Sequence, residues 1–145
     1  MQRTFVADLG SKIGEEVTLR GWVHRYRETR STVFIVVQDA SGTTQVVAGH
    51  EGVKDAALKT EDCIEIEGKV RAEARAKQGF EVDLVAVRVL SRAAANLPFT
   101  SGSDLNTVGQ DVVLDHRPMS LRTERGGTIF RVQAALVEGF RSALR

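Results

Sequence analysis

The sequence is poor in several things that would have fixed its chemistry. Cys63 is the one cysteine among 145 residues, so no internal disulfide can form, and with only three histidines no cluster of metal-ligand spacing is offered. No apolar run approaches the eighteen or so residues of a membrane span, and MQRTFVADLG at the start lacks the apolar stretch of a signal peptide. A cytoplasmic, soluble chain without membrane contact is the expectation. Net charge is also lacking: Lys and Arg exceed Asp and Glu by one, which gives no global attraction to polyanions. Any such attraction has to come from local clustering.

Clustering is present. Between Thr18 and Ala48 the chain reads TLRGWVHRYRETRSTVFIVVQDASGTTQVVA, with β-branched and aromatic residues alternating with polar ones. Three successive strands are expected there, from Val17 to about Tyr26, Val33 to Gln38 and Thr43 to Ala48, the last two joined by a turn at Asp39-Ala40-Ser41-Gly42. Within the first, Val17, Leu19, Trp22 or Gly21, and His24 compete for the inner face, and Gly21 marks a bulge or bend. Arg20, His24, Arg25, Arg27 and Arg30 lie along or just past this strand, and Phe34 and Gln45 fall on the next two. Guanidinium groups suit phosphates, an exposed aromatic suits an unstacked base, and an amide suits a base edge. The meander reads as a surface for single-stranded RNA, with Arg20, His24, Arg25 and Arg30 as phosphate-contact candidates. Each of these residues taken alone also fits a solvated strand face, and Phe34 taken alone fits a core position.

Ahead of the meander, residues 3–16 are expected to be a brief extended piece punctuated by Gly10 and Gly14. After it, Val53, Ala56, Ala57 and Leu58 recur at helical spacing and predict one short helix. Two strands follow, Cys63 to about Ala74 with Cys63 as a small buried residue, and Phe80 to Leu90 with Val82, Leu84 or Val85, Val87 and Val89 inward. Three strands, a helix and two strands is the order of an OB-fold, a five-stranded Greek-key barrel. The fold class is all-β with minor α: this barrel over residues 1–92, a linker or hinge over 93–127 containing Pro98, and a C-terminal helix over 128–145. Ile129, Val132, Leu136, Phe140 and Leu144 form an apolar stripe on that helix. The stripe offers a route to a homodimer.

Five stretches, GWVHRYR (21–27), FIVVQDASGTTQVV (34–47), GFEVDLVAVRVL (79–90), LDHRPMSLR (114–122) and IFRV (129–132), resemble the N-terminal anticodon-binding part of class IIb aminoacyl-tRNA synthetases, most nearly the archaeal type of aspartyl-tRNA synthetase. The resemblance implies tRNA as partner, with the anticodon of aspartate tRNA, and that of asparagine tRNA in a non-discriminating enzyme, as the target. It further implies that Phe34 stacks on the central anticodon base and that Gln45, Arg27 and Glu81 complete the pocket. The closing helix resembles the first half of the class II dimer-interface motif. No catalytic residue and no cofactor is expected in these 145 residues; ATP and magnesium would belong to a longer parent ligase. Arg30 and Ser31 depart from the usual glycines between strands one and two, and Gln38 stands where an arginine is common. The rival reading is a general single-strand-binding OB protein without synthetase activity.

Overall fold

A computed structural model describes residues 2–145, which fall into two compact units, one extending to Ala95 and the other Asn96–Arg145. In the first, β1 (Glu16–Glu28), β2 (Val33–Gln38), β3 (Thr43–Ala48), β4 (Cys63–Ala72) and β5 (Phe80–Ser91) close a barrel in the order β1-β2-β3-β5-β4. Every pairing is antiparallel except β3 with β5, which runs parallel through Val46–Val82 and Val47–Asp83. This is the five-stranded OB barrel expected from the element order.

The barrel closes because its strands obey the period of two. Val33, Ile35 and Val37 on β2, Thr44, Val46 and Ala48 on β3, and Ile64, Ile66 and Val70 on β4 point inward and are buried, while the residues between them face out. On β1 the inward set is Val17, Leu19, Gly21 and Val23. Neither Trp22 nor His24 takes the inner face: both are half-buried, and the register slips at His24, between Val23 and Arg25, not at the glycine. Gly21 stays in phase because a Cβ there would lie 2.3 Å from the Gln38 carbonyl oxygen. That close approach lets β1 serve β4 with one half and β2 with the other. On β5 the slip opposite Glu67 and Gly68 expels Val85, so Leu84 rather than Val85 packs on the core with Val87 and Val89.

Two expectations about connecting segments fail. Residues 3–16 contain a 3-10 helix, Val6–Lys12, which buries Val6 and Leu9 in the barrel core. Its entry is held by Asp39, whose Oδ2 accepts from the Val6 amide at 2.9 Å while Oδ1 accepts from the Ser41 and Gly42 amides that shape the β2–β3 turn. The predicted helix at 53–58 is replaced by a single 3-10 turn at His50–Gly52 and a loop. There Val53 and Leu58 serve as buried anchors, and Ala57, at φ 42°, interrupts the helical phase. Cys63, expected to be buried, opens β4 and is half-buried.

Asp62 secures the end of that loop. Only 1% exposed, it accepts from the Lys59 amide (3.0 Å), the Ala93 amide (2.8 Å) and the Arg92 guanidinium (2.9 Å). Burial pushes its pKa up, but these hydrogen bonds and the Arg92 charge outweigh it and leave the carboxyl below its ordinary 3.8. A folded-state pKa below the unfolded one gives stability that is present above the unfolded value and lost as pH falls through the folded one. The melting temperature is therefore expected to hold near neutrality and to fall below about pH 4. Asp62→Asn should lower it at pH 7 by the equivalent of about 1–3 kcal/mol and flatten the acid limb; calorimetry from pH 7 to pH 3 checks both.

In the second unit, α1 (Gln110–Asp115) and α2 (Arg117–Ser120) occupy part of the stretch read as a hinge, and α3 (Glu124–Ala143) starts four residues before the expected Thr128. The earlier start follows from a cap: the Thr123 hydroxyl accepts from the Gly126 amide. Phe99 is buried and meets His116 edge-on with ring centroids 6.4 Å apart. On α3 and its C-cap residue Leu144, the stripe of Ile129, Val132, Leu136, Phe140 and Leu144 is exposed. Among the described residues no helix is long and apolar enough to cross a membrane.

Candidate nucleic-acid interface

The outward residues of the barrel carry the site. Cross-strand register sets Arg27 opposite Phe34 and Phe34 opposite Val47, and the next outward rung sets Arg25 opposite Val36 and Val36 opposite Gln45. Phe34 is half-buried, and the Arg27 guanidinium carbon lies 4.7 Å from its ring centroid. A cation over an aromatic face is worth about 0.5–1 kcal/mol at an exposed site, enough to fix the ring's attitude at the surface. The ring and the guanidinium stacked on it are each a flat group of the kind that unstacked bases lie on.

Beside the platform, Gln45 Nε2 donates to Glu81 Oε2 at 2.9 Å across the parallel β3–β5 pairing. Glu81 is 3% exposed, and its other oxygen accepts from the Arg71 guanidinium, which also reaches Asp83 at 3.0 Å. The negative charge of Glu81 raises the Arg71 pKa above its ordinary value, against a smaller opposing effect of burial. The consequence for Gln45 is chemical. A carboxylate only accepts, so the amide must turn an N–H toward Glu81, leaving the carbonyl oxygen and the second N–H for a ligand. That pair is complementary to an imide edge such as that of uracil, whose N3–H donates beside an accepting O4. Cytosine held in the same pose would set its N3 acceptor against the amide oxygen.

The structure thus brings Arg27, Phe34, Gln45 and Glu81 onto neighbouring rungs. It adds Arg71, which the sequence reading did not select. The signal was available: counting back from the Gly79 turn pairs Ala72 with Phe80 and Arg71 with Glu81, an opposite-charge pair across a hairpin.

The phosphate-contact candidates divide. Arg25 is exposed two residues from Arg27 on the same side of β1, and Arg30 is exposed in the loop after it. His24 sits half-buried in the β1 irregularity. Arg20 is elsewhere: it lies on the half of β1 that pairs with β4 and donates to Glu65 at 2.6 Å, and Arg88 reaches the same carboxylate at 2.7 Å. Hydrogen bonds from Arg88 and Arg20 hold the Glu65 carboxyl below its usual range. Arg20 is thus committed to an ion-pair cluster rather than to the Phe34 platform.

Comparison with known proteins agrees with the fold. The family described as OB-fold nucleic acid binding domain, tRNA_anti-codon, matches residues 17–90. An aspartate–tRNA(Asp/Asn) ligase of Thermus thermophilus is 36% identical over 142 residues, covering 98% of this chain and 33% of the relative. One from Methanococcus maripaludis is 34% identical over 134 residues, covering 88% of this chain and 30% of the relative. Among solved structures, asparaginyl-tRNA synthetase from Pyrococcus horikoshii in complex with asparaginyl-adenylate superposes with a TM-score of 0.86 at 24% identity, covering 99% of this chain and 34% of that one. Aspartyl tRNA synthetase from Entamoeba histolytica gives 0.81 at 24%, covering 99% and 37%. At that identity the superpositions show the fold. The chain spans about a third of the length of the relatives it matches.

Proposed function

This chain belongs to the OB-fold nucleic acid binding domain family of the tRNA anticodon type, and on that basis we propose that it reads the anticodon of aspartate tRNA, and of asparagine tRNA as well. The observation that carries the reading is the orientation of Gln45. Its amide, turned by Glu81, presents an acceptor and a donor next to the Phe34–Arg27 platform. A central uracil stacked on Phe34 satisfies both groups. Aspartate and asparagine anticodons, GUC and GUU, share that uracil, and the relatives' names, as ligases for tRNA(Asp/Asn), support the pairing. Arg25 and Arg30, exposed on the strand and loop beside the platform, suit the flanking phosphates.

The wider setting we propose is an aspartate–tRNA ligase or a relative of one, in which this region selects the tRNA. ATP and magnesium serve the ligase chemistry, and no residue described here is assigned to it. A cytoplasmic location goes with that role. The exposed stripe on α3 supports a homodimer through that helix, which sedimentation of the full chain tests by its mass.

The reading is tested by binding anticodon stem-loops carrying GUC, GUU and an unrelated triplet without a central uracil, at one moderate salt concentration. GUC and GUU are expected to bind about 5- to 150-fold tighter than the unrelated loop, the range that one well-matched base edge supplies. Equal binding to all three would leave a general single-strand binder in its place.

A further inference from the structure

Two acids on β5 claim one cation on β4. The Arg71 guanidinium donates through Nη2 to Glu81 and through Nε to Asp83 at 3.0 Å, and the register of the β4–β5 hairpin puts Arg71 directly opposite Glu81. One cation between two carboxylates leaves the trio negative. A phosphate approaching Arg71 therefore meets a repelling site, which sets this arginine apart from the exposed Arg25 and Arg30. Its use lies elsewhere.

Glu81 is 3% exposed, and a carboxylate that deep is unfavourable unless it is both paired and hydrogen-bonded. Its two oxygens are taken by Gln45 and Arg71. Gln45 supplies a hydrogen bond without charge, so the compensating charge comes from Arg71. We propose that Arg71 is a positioning residue for base selection: it holds Glu81 as an acceptor, Glu81 holds one N–H of the Gln45 amide, and the uracil-matching order of the remaining amide groups follows. The proposal rests on the reading above for which base meets Gln45.

With Arg71 in place Glu81 only accepts, and the amide has one orientation. Without Arg71, the carboxyl either takes up a proton, and then donates to the amide oxygen, or swings to solvent and leaves the amide unheld. Both outcomes let the amide turn over. Turned over, it exchanges donor and acceptor and sets an N–H against the N3 acceptor of a cytosine in the same pose. Asp83 fixes the guanidinium from its other side, and a planar group with several donors spans both acids where an ammonium would reach one. On this relay Arg71 governs the choice between uracil and cytosine without touching either.

The test compares stem-loops carrying GUC and GCC, which differ at the central base alone, on the full chain and its Arg71→Met, Arg71→Lys, Glu81→Gln and Arg71→Met/Glu81→Gln variants, each beside a thermal melt. Arg71→Met is expected to reduce the preference for GUC over GCC about tenfold, within the worth of one base-edge discrimination. Arg71→Lys, which keeps the charge and gives up the fork, should lie between that variant and the unaltered chain. Because Arg71 acts through Glu81, its removal in the Glu81→Gln background should change the preference by less than about twofold. A loss equal on GUC and GCC, a full further loss in the Glu81→Gln background, or an unchanged preference would overturn the relay. Should Arg71→Met not fold, Arg71→Lys and the double variant, which buries no unpaired charge, carry the comparison. If the unaltered chain does not distinguish GUC from GCC, the anticodon reading fails by itself. The relay is then decided in the free chain by the Gln45 side-chain amide resonances: displaced in Arg71→Met and returned toward their place in Arg71→Lys they sustain it, and unmoved in both they remove it.

Discussion

Phe34→Ala is expected to weaken binding to the GUC stem-loop by about 5- to 150-fold, the span corresponding to the 1–3 kcal/mol that one base–aromatic stack contributes. The melting temperature should scarcely move. Phe34 faces outward between the buried Val33 and Ile35, so its loss opens no cavity in the barrel. Removal of the ring also strips Arg27 of its planar partner, which leaves the guanidinium mobile at the place where a base would lie. The loss should be similar for GUC and GUU, because stacking does not distinguish their third base. Fluorescence anisotropy with both loops, beside a thermal melt, checks each part. A large fall in melting temperature would instead make Phe34 a structural residue.

Gly21→Ala should do the reverse, destabilising the fold by about 3 kcal/mol or more while altering no group that a ligand touches. The added Cβ would stand 2.3 Å from the Gln38 carbonyl oxygen and 2.9 Å from Val37 Cγ1. The nearest obstacle is backbone, and backbone cannot rotate away as a side-chain tip can. Relief requires β1 and β2 to separate at the Trp22–Gln38 rung, where β1 passes from its β4 half to its β2 half. Gly68 is constrained in the same way against the Asp83 carbonyl oxygen, at 2.6 Å. Urea denaturation measures the loss; an unchanged midpoint would show that the strands give way there at little cost.

Strand positions were legible because alternation over six or more residues has one reading, and the sequence bounds for β2 and β3 coincide with the observed ones. The segments before β1 and after β3 were not legible for the same reason. Val6 and Leu9 are spaced like a helix face but lie in a 3-10 helix, and Val53 and Leu58 are buried by a loop that Ala57 breaks. Short apolar spacings do not say which backbone carries them. In the site, Phe34, Arg27, Gln45 and Glu81 could be named from the resemblance, and the cross-strand rungs bring them together. Arg71 was missed because its meaning depends on hairpin register rather than on its neighbours in the chain. The ion pair of Arg20 was not legible because Glu65, 45 residues away, is invisible from β1 alone.

The parallel seam between β3 and β5 ties recognition to the integrity of the barrel. Gln45 and Glu81 are 36 residues apart in sequence and meet only across that seam. A chain whose seam has parted can keep both hairpins and still present Gln45 with an unoriented amide. Only the closed form presents the Gln45 amide in the orientation that Glu81 sets. On the proposed reading, RNA seated on Gln45 binds the closed form in preference and so opposes local opening by RT ln(1 + [L]/Kd). On the proposed reading, a bound base thus braces the barrel at its shortest ladder, the two pairs of the β3–β5 seam.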